Sequence, residues 1–169
     1  MKTLERLLSE IAKPPVLWGL GLATVIFMLV FSAVITPAIK AVAGGPPPDV
    51  VLYQTPQQFH AWLERGGETV RRLYGWFLFI DTFYPIIYGL FFGALLWKLS
   101  LGGKAWHLAV YLVLADYLEN LMHAIILASY LNFPVWAAWV ATITTPLKWG
   151  LLLVILFRIG YLWRQNRAR

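Results

Sequence analysis

The sequence predicts an all-α polytopic membrane protein: a bundle of four transmembrane helices, with an N-terminal interfacial amphipathic helix and a short helical outer loop. Three observations predict it. Of 169 residues, 60% are hydrophobic and only 13% charged, about half the charged fraction of an average soluble domain. A globule in water cannot hide that much apolar surface at this length. Four apolar stretches reach the roughly 20 residues a helix needs to cross hydrocarbon, and runs this long satisfy their backbone bonds inside lipid only as helices.

Residues 1–13 place Leu4, Leu7, Leu8 and Ile11 on one helical face and Lys2, Glu5, Arg6 and Glu10 elsewhere. That pattern fits an amphipathic helix lying along the cytoplasmic leaflet. The first span, 16–39, follows Pro14-Pro15, which suit a helix start, and fades into Ala43-Gly44-Gly45-Pro46-Pro47-Pro48. Lys2, Arg6 and Lys13 before it and Ala41-Val42-Ala43 after it are features of a signal peptide. The apolar segment nonetheless exceeds the roughly 7–15 residues of a signal h-region, so it is read as a retained helix.

The outer loop, 44–72, contains Thr55-Pro56-Gln57-Gln58, a capping-box pattern with Pro at the first helical position. Phe59, Trp62 and Leu63 then share a face until Gly66-Gly67, which is read as a stop. The second span covers 73–97, the third 105–131 and the fourth 135–157. The last two are separated by Asn132-Phe133-Pro134, a tight helical hairpin. Residues 158–169 form a basic cytoplasmic tail. All 169 residues make one membrane domain, and no repeat relates its halves.

Orientation follows from Lys and Arg. With the N-terminus cytoplasmic, nine of the fourteen lie on the inner side, Arg169 among them, and only Lys40, Arg65, Arg71 and Arg72 lie outside. This distribution obeys the positive-inside rule. Tryptophans agree, with Trp18, Trp97, Trp106 and Trp163 at the inner edge and Trp62, Trp76, Trp136 and Trp139 at the outer edge. The expectation is a multi-pass protein of the cell inner membrane with both termini cytoplasmic. A net charge of +6 is thereby used in orienting the chain, and nucleic acid is not expected as a partner. The absence of cysteine excludes disulfides, thiolate zinc sites and thiol chemistry.

The informative residues are the ionisable ones inside the spans. Each costs at least about 2.5–3.5 kcal/mol near the bilayer centre, so each needs a reason. Asp116, Glu119, Asn120 and His123 stand at i, i+3, i+4 and i+7, one face of the third span. Asp81, Tyr84, Pro85 and Tyr88 repeat that spacing on the second, where Gly89 and Gly93 offer a close helix contact. Lys148 is the lone cation of the fourth. At about 1.5 Å per residue, Asp116 lies roughly 18 Å from Lys104 and Lys148 roughly 15 Å from Arg158. The two are therefore expected to pair, with Asp81, Glu119 and His123 as a second group further out. Three carboxylates against one ammonium leave a net charge of −2, which a low-dielectric interior does not tolerate unaided. A protonated carboxyl, a cationic His123, or a bound metal ion or cationic ligand would each resolve it. Asp116, Glu119 and His123 are the metal candidates, at a spacing not specific to any metal. Thr142, Thr144 and Thr145 precede Pro146 and are expected to satisfy the carbonyls it frees.

Asp81-Thr82-Phe83-Tyr84-Pro85-Ile86-Ile87-Tyr88-Gly89 and Asp116-Tyr117-Leu118-Glu119-Asn120 together resemble motifs of small bacterial four-span membrane proteins, with D-x-x-x-P-x-x-Y-G on one helix and D-x-x-E-N on the next. That resemblance covers most of the chain and implies a four-helix fold without an activity. A remoter likeness is to the emopamil-binding (EXPERA) four-helix proteins, which gather acids in an intramembrane sterol pocket; their motif spacing is not reproduced, so no residue roles transfer.

The functional expectation is a membrane protein whose midplane cluster binds a proton, a cation or a small amphipathic ligand, through Asp81, Tyr84, Tyr88, Asp116, Glu119, Asn120, His123 and Lys148. Two alternatives stay open. One is an intramembrane enzyme acting on a lipid or isoprenoid, with Glu119 or Asp116 as general acid/base beside His123. The other is a non-catalytic accessory subunit of a membrane complex. The expected partners are the lipid bilayer, a lipid-like or cationic ligand, and a second copy or a larger complex; no cofactor is specified.

Overall fold

The computed structural model describes residues 2–168. The side chains of Lys2 and Leu4, and Arg169 altogether, lie outside the described residues, so their part in the amphipathic face and the charge count is not addressed. The described residues form helices α1 (Lys2–Ile11), α2 (Pro14–Ala43), α3 (Pro56–Asp81), α4 (Tyr84–Leu99), α5 (His107–Ala128) and α6 (Val135–Arg167), with no strand among them. Four stretches, Pro14–Ala43, Pro56–Leu99, Lys104–Ala128 and Val135–Arg167, are long and apolar enough to cross a membrane. Their outward faces are apolar too: Leu22, Met28, Phe79, Leu114, Ile143 and Phe157 are each at least half exposed.

Helix α1 does not lie free of the bundle. Leu8 and Ala12 are buried against Ala94 and Trp106, and Lys98 Nζ donates to the Ala12 carbonyl at 3.2 Å. In α2 a π-turn, Phe31–Ile35, precedes Pro37. A proline ring clashes with the carbonyl four residues back, and the wider turn absorbs that clash. Gly44 ends α2 in the left-handed region at φ 67°, its N–H on the Lys40 carbonyl, a conformation that suits glycine at a helix end.

The capping box of Thr55 and Gln58 forms at the start of α3. The first helical stretch stops at Gly66-Gly67, as the sequence leads one to expect. The chain kinks at Gly67, whose φ of 59° and ψ of −152° are non-helical, and α3 resumes to Asp81. The stretch over 44–72 thus carries a short helix from Pro56 to the break at Gly67.

The second span, expected as one helix over 73–97, is two. It breaks at Thr82-Phe83, because Pro85 cannot donate to residue 81 and its ring crowds that carbonyl. Tyr117 of α5 donates its hydroxyl to the Thr82 carbonyl at 2.9 Å, satisfying an acceptor near the break. The expected basic tail over 158–169 is helical as far as Arg167, continuous with the last span. The polar composition marks where apolar surface ends, and nothing in it breaks a helix.

Close packing of α4 on α5 depends on small residues. A Cβ on Gly89 would sit 2.4 Å from Val113 Cγ2, and one on Gly93 would meet Leu8 and Ala109 at ordinary contact distance. The end of the bundle near residues 44–55 is called the loop end below, and the opposite end the terminal end. At the loop end a core of Ile39, Ala43, Trp62, Leu63, Tyr74 and Ile126 binds α2, α3 and α5 to Ala137, Ala138 and Ala141 of α6.

Candidate functional site

The buried polar cluster draws on four helices, α4 through Tyr88, and one loop. Helix α5 buries Asp116, Glu119, Asn120 and His123, α3 buries Asp81 and Tyr74, and α6 supplies Thr145. The Lys148 side chain is 14% exposed.

The structure gathers these residues differently from the sequence expectation. Lys148 Nζ lies 3.4 Å from Asp116 Oδ1, and it pairs more closely with Glu119 Oε2. Glu119 was expected in the outer group with Asp81 and His123. The two acids are one helical turn apart on the same face, and a four-carbon stem lets one ammonium meet both. Glu119 Oε1 accepts from the Thr145 hydroxyl, and Asp116 Oδ2 accepts from the Tyr88 hydroxyl. Thr145 also back-bonds to the Ala141 carbonyl at 3.0 Å, so it does more than serve its own helix.

Asp81 meets Asn120, whose Nδ2 donates to Asp81 Oδ2 at 2.7 Å; the Asn120 carboxamide oxygen has no partner among the described residues. Tyr84 turns away from the cluster. Its hydroxyl reaches the Thr24 carbonyl at 3.3 Å, and its ring stacks on Phe27 at 5.5 Å. His123 is separate from the acids: Nδ1 lies 2.8 Å from Tyr74 Oη, and Phe59 packs edge-on at 5.2 Å. Among the described residues no three His, Asp or Glu side chains converge as a metal centre. Lys148 occupies the place beside Asp116 and Glu119 where a cation would be needed.

Two members of the site escaped the sequence reading. Tyr74 precedes Asp81 by seven residues, the same helical face, and that spacing could have found it. Asp49 had no such signal, since it lies in the irregular segment that leads to α3. Pro47, Pro48 and Asp49 are all buried, and Trp149 Nε1 approaches the Asp49 carbonyl at 3.5 Å. Tyr74 Oη lies 3.4 Å from Asp49 Oδ1. Elsewhere the loop is held by Trp62 Nε1 on the Gly45 carbonyl at 3.2 Å and by the Thr142 hydroxyl on the Gln54 carbonyl at 2.6 Å. Irregular backbone can be buried only where its polar groups are satisfied. Three consecutive prolines lighten that demand because none carries an N–H. Burial raises the Asp49 carboxyl from its ordinary range to about 8; Lys148 opposes the rise, and Glu119 and Asp81 add to it.

Between the loop and His123 is a cavity of about 10 Å³, lined by Gln54, Phe59, His123, Thr142 and Thr145 among others. That volume is at the lower limit for a single water. The Gln54 side-chain oxygen, also buried without a partner among the described residues, lies at this cavity.

The fold and site together define a helical protein with four potential membrane spans around a buried, mainly acidic polar cluster. No family model, no curated protein and no solved structure matches this chain.

Proposed function

We propose that this is an integral membrane protein of the cell inner membrane, with both termini cytoplasmic, whose buried cluster takes up and releases a proton. The observation that carries the reading is the ratio of charges. Asp49, Asp81, Asp116 and Glu119 are all buried, and Lys148 is the ammonium among them. Full ionisation would leave a net charge of −3, which a low-dielectric interior does not sustain. A proton is the occupant that needs no space, and the cavity beside His123 is too small for an amphipathic molecule. Asp49 lies in the loop itself, beside the Tyr74 hydroxyl, and is the carboxyl best placed to exchange with the loop end.

The test is infrared spectroscopy of the purified protein in lipid across pH 5 to 9. A protonated-carboxyl band that titrates near pH 8 and disappears in Asp49→Asn supports the reading. No titrating band in that interval in the wild type refutes it.

A further inference from the structure

A second feature lies beside the cluster, on the exposed apolar side of α3 and α5. A groove of about 680 Å³ runs between the two helices, within the size range of small-molecule sites. It exists because small residues face one another: Gly75 on α3, and Ala124 and Ala128 one turn apart on α5. Its walls are Leu78 and Phe79 on one side and Leu121 and Leu127 on the other, and Phe79 and Leu121 are each more than half exposed. The groove therefore opens sideways rather than toward either end of the bundle.

Its two ends differ. At the loop end stands Arg71, whose guanidinium lies 3.9 Å above the Tyr130 ring. Among the described residues no carboxylate is within ion-pairing distance of Arg71. At the other end are Thr82, Tyr117 and Asn120. Arg71 to Thr82 is eleven residues, or about 16 Å of helix, close to half of a hydrocarbon core about 30 Å thick. In the membrane-embedded arrangement of the proposed function, on which this inference rests, the groove would span one leaflet, with a cation at headgroup level and apolar walls below it.

We propose that this groove binds an anionic phospholipid of the loop-side leaflet, its phosphate on the Arg71 guanidinium and one acyl chain between α3 and α5. Arginine suits this task because its planar fork matches phosphate oxygens, and the aromatic face of Tyr130 holds it in place without neutralising it. A seated chain would lie against Asn120 and so cover the Asn120–Asp81 pair from the lipid side. This proposal does not rest on proton exchange, and its readout is separate.

The full chain, purified in detergent, is mixed with equal amounts of phosphatidylglycerol and phosphatidylcholine and examined by native mass spectrometry. One phosphatidylglycerol per chain is expected to be retained in preference to phosphatidylcholine. Arg71→Gln should weaken that retention about tenfold, the equivalent of one charge-assisted contact. Ala124→Trp should abolish it by filling the groove, while Leu114→Trp, exposed on α5 outside the groove, should leave it unchanged. Equal retention of the two lipids by the wild type overturns the proposal. Unchanged retention in Arg71→Gln or Ala124→Trp overturns it as well, and so does a loss in Leu114→Trp equal to that in Ala124→Trp. If Ala124→Trp fails to fold, Arg71→Gln decides alone.

Discussion

The Tyr74 hydroxyl and the His123 imidazole are joined across α3 and α5, Oη to Nδ1 at 2.8 Å, and the same hydroxyl lies 3.4 Å from Oδ1 of the loop residue Asp49. One phenol thus couples a proline-rich segment to the buried face of α5. Removing it by Tyr74→Phe leaves a ring nitrogen of His123 buried without a partner. The expected loss is about 1–3 kcal/mol, read as a lower thermal midpoint in detergent. An unchanged midpoint would mean that the contact contributes nothing.

Lys148 has two carboxylate partners, and the closer is Glu119. Lys148→Met alone should destabilise by about 3–5 kcal/mol, because it strands buried acids. Combining it with Glu119→Leu should recover much of that loss, and more than combining it with Asp116→Leu. Chemical denaturation of the single and double variants checks the order, and equal recovery from the two acids would remove Glu119 from its place as principal partner.

Asp49 gives a pH dependence with a defined sign. Its carboxyl holds a proton up to about pH 8 when folded, against an unfolded value of 3.8. The folded chain therefore binds more protons than the unfolded one between those values, and stability declines as pH rises through that window. This contribution is complete below about pH 4 and gone above pH 8, with a slope of at most about 1.4 kcal/mol per pH unit. Thermal midpoints from pH 5 to 9 should fall in the wild type by more than in Asp49→Asn. Parallel curves would show that Asp49 does not titrate there.

Gly89 admits no side chain without movement of Val113. Gly89→Ala should destabilise by about 1–3 kcal/mol through overpacking. Val113→Ala added to it should restore much of the loss, since the methyl that would collide is then absent. A mild Gly89→Ala with no response to Val113→Ala would show that α4 and α5 are further apart.

Orientation is open to direct measurement. Cysteines placed near residue 58 should react with an impermeant reagent added outside intact cells, and cysteines near 102 and 166 should not. Labelling at 102 would reverse the bundle and place the groove between α3 and α5 in the other leaflet.

The parts of this molecule legible in the sequence are those governed by a period. Asp116, Glu119, Asn120 and His123 share one face of α5 because 3.6 residues make a turn, and all four are buried in the structure. Depth counting was less exact. It set Lys148 level with Asp116 but could not say which way a long stem leans, and Lys148 leans one turn toward Glu119. The break at Thr82-Phe83 was signalled by Pro85, yet hydropathy alone runs straight through it. Tyr84 shares the spacing of Asp81 and Tyr88, but its hydroxyl reaches the Thr24 carbonyl and its ring stacks on Phe27 of α2, contacts between helices that no period encodes. Asp49 had neither period nor depth, because its position is set by prolines and by Tyr74 and Trp149, distant in sequence.

The position of Lys148 on the last helix has a consequence for biosynthesis. Ribosomal synthesis runs from the N-terminus, so Asp49, Asp81, Asp116 and Glu119 all emerge before the ammonium that balances two of them. Helix α5 alone would carry two acids into lipid at an insertion cost of at least about 2.5 kcal/mol each. Only Ser129 to Pro134 separate α5 from α6, a link short enough for the two to enter as one hairpin with Lys148 already beside Asp116 and Glu119. A chain arrested before residue 148 should then hold α5 at the membrane surface, and release of the arrest should carry both helices in together.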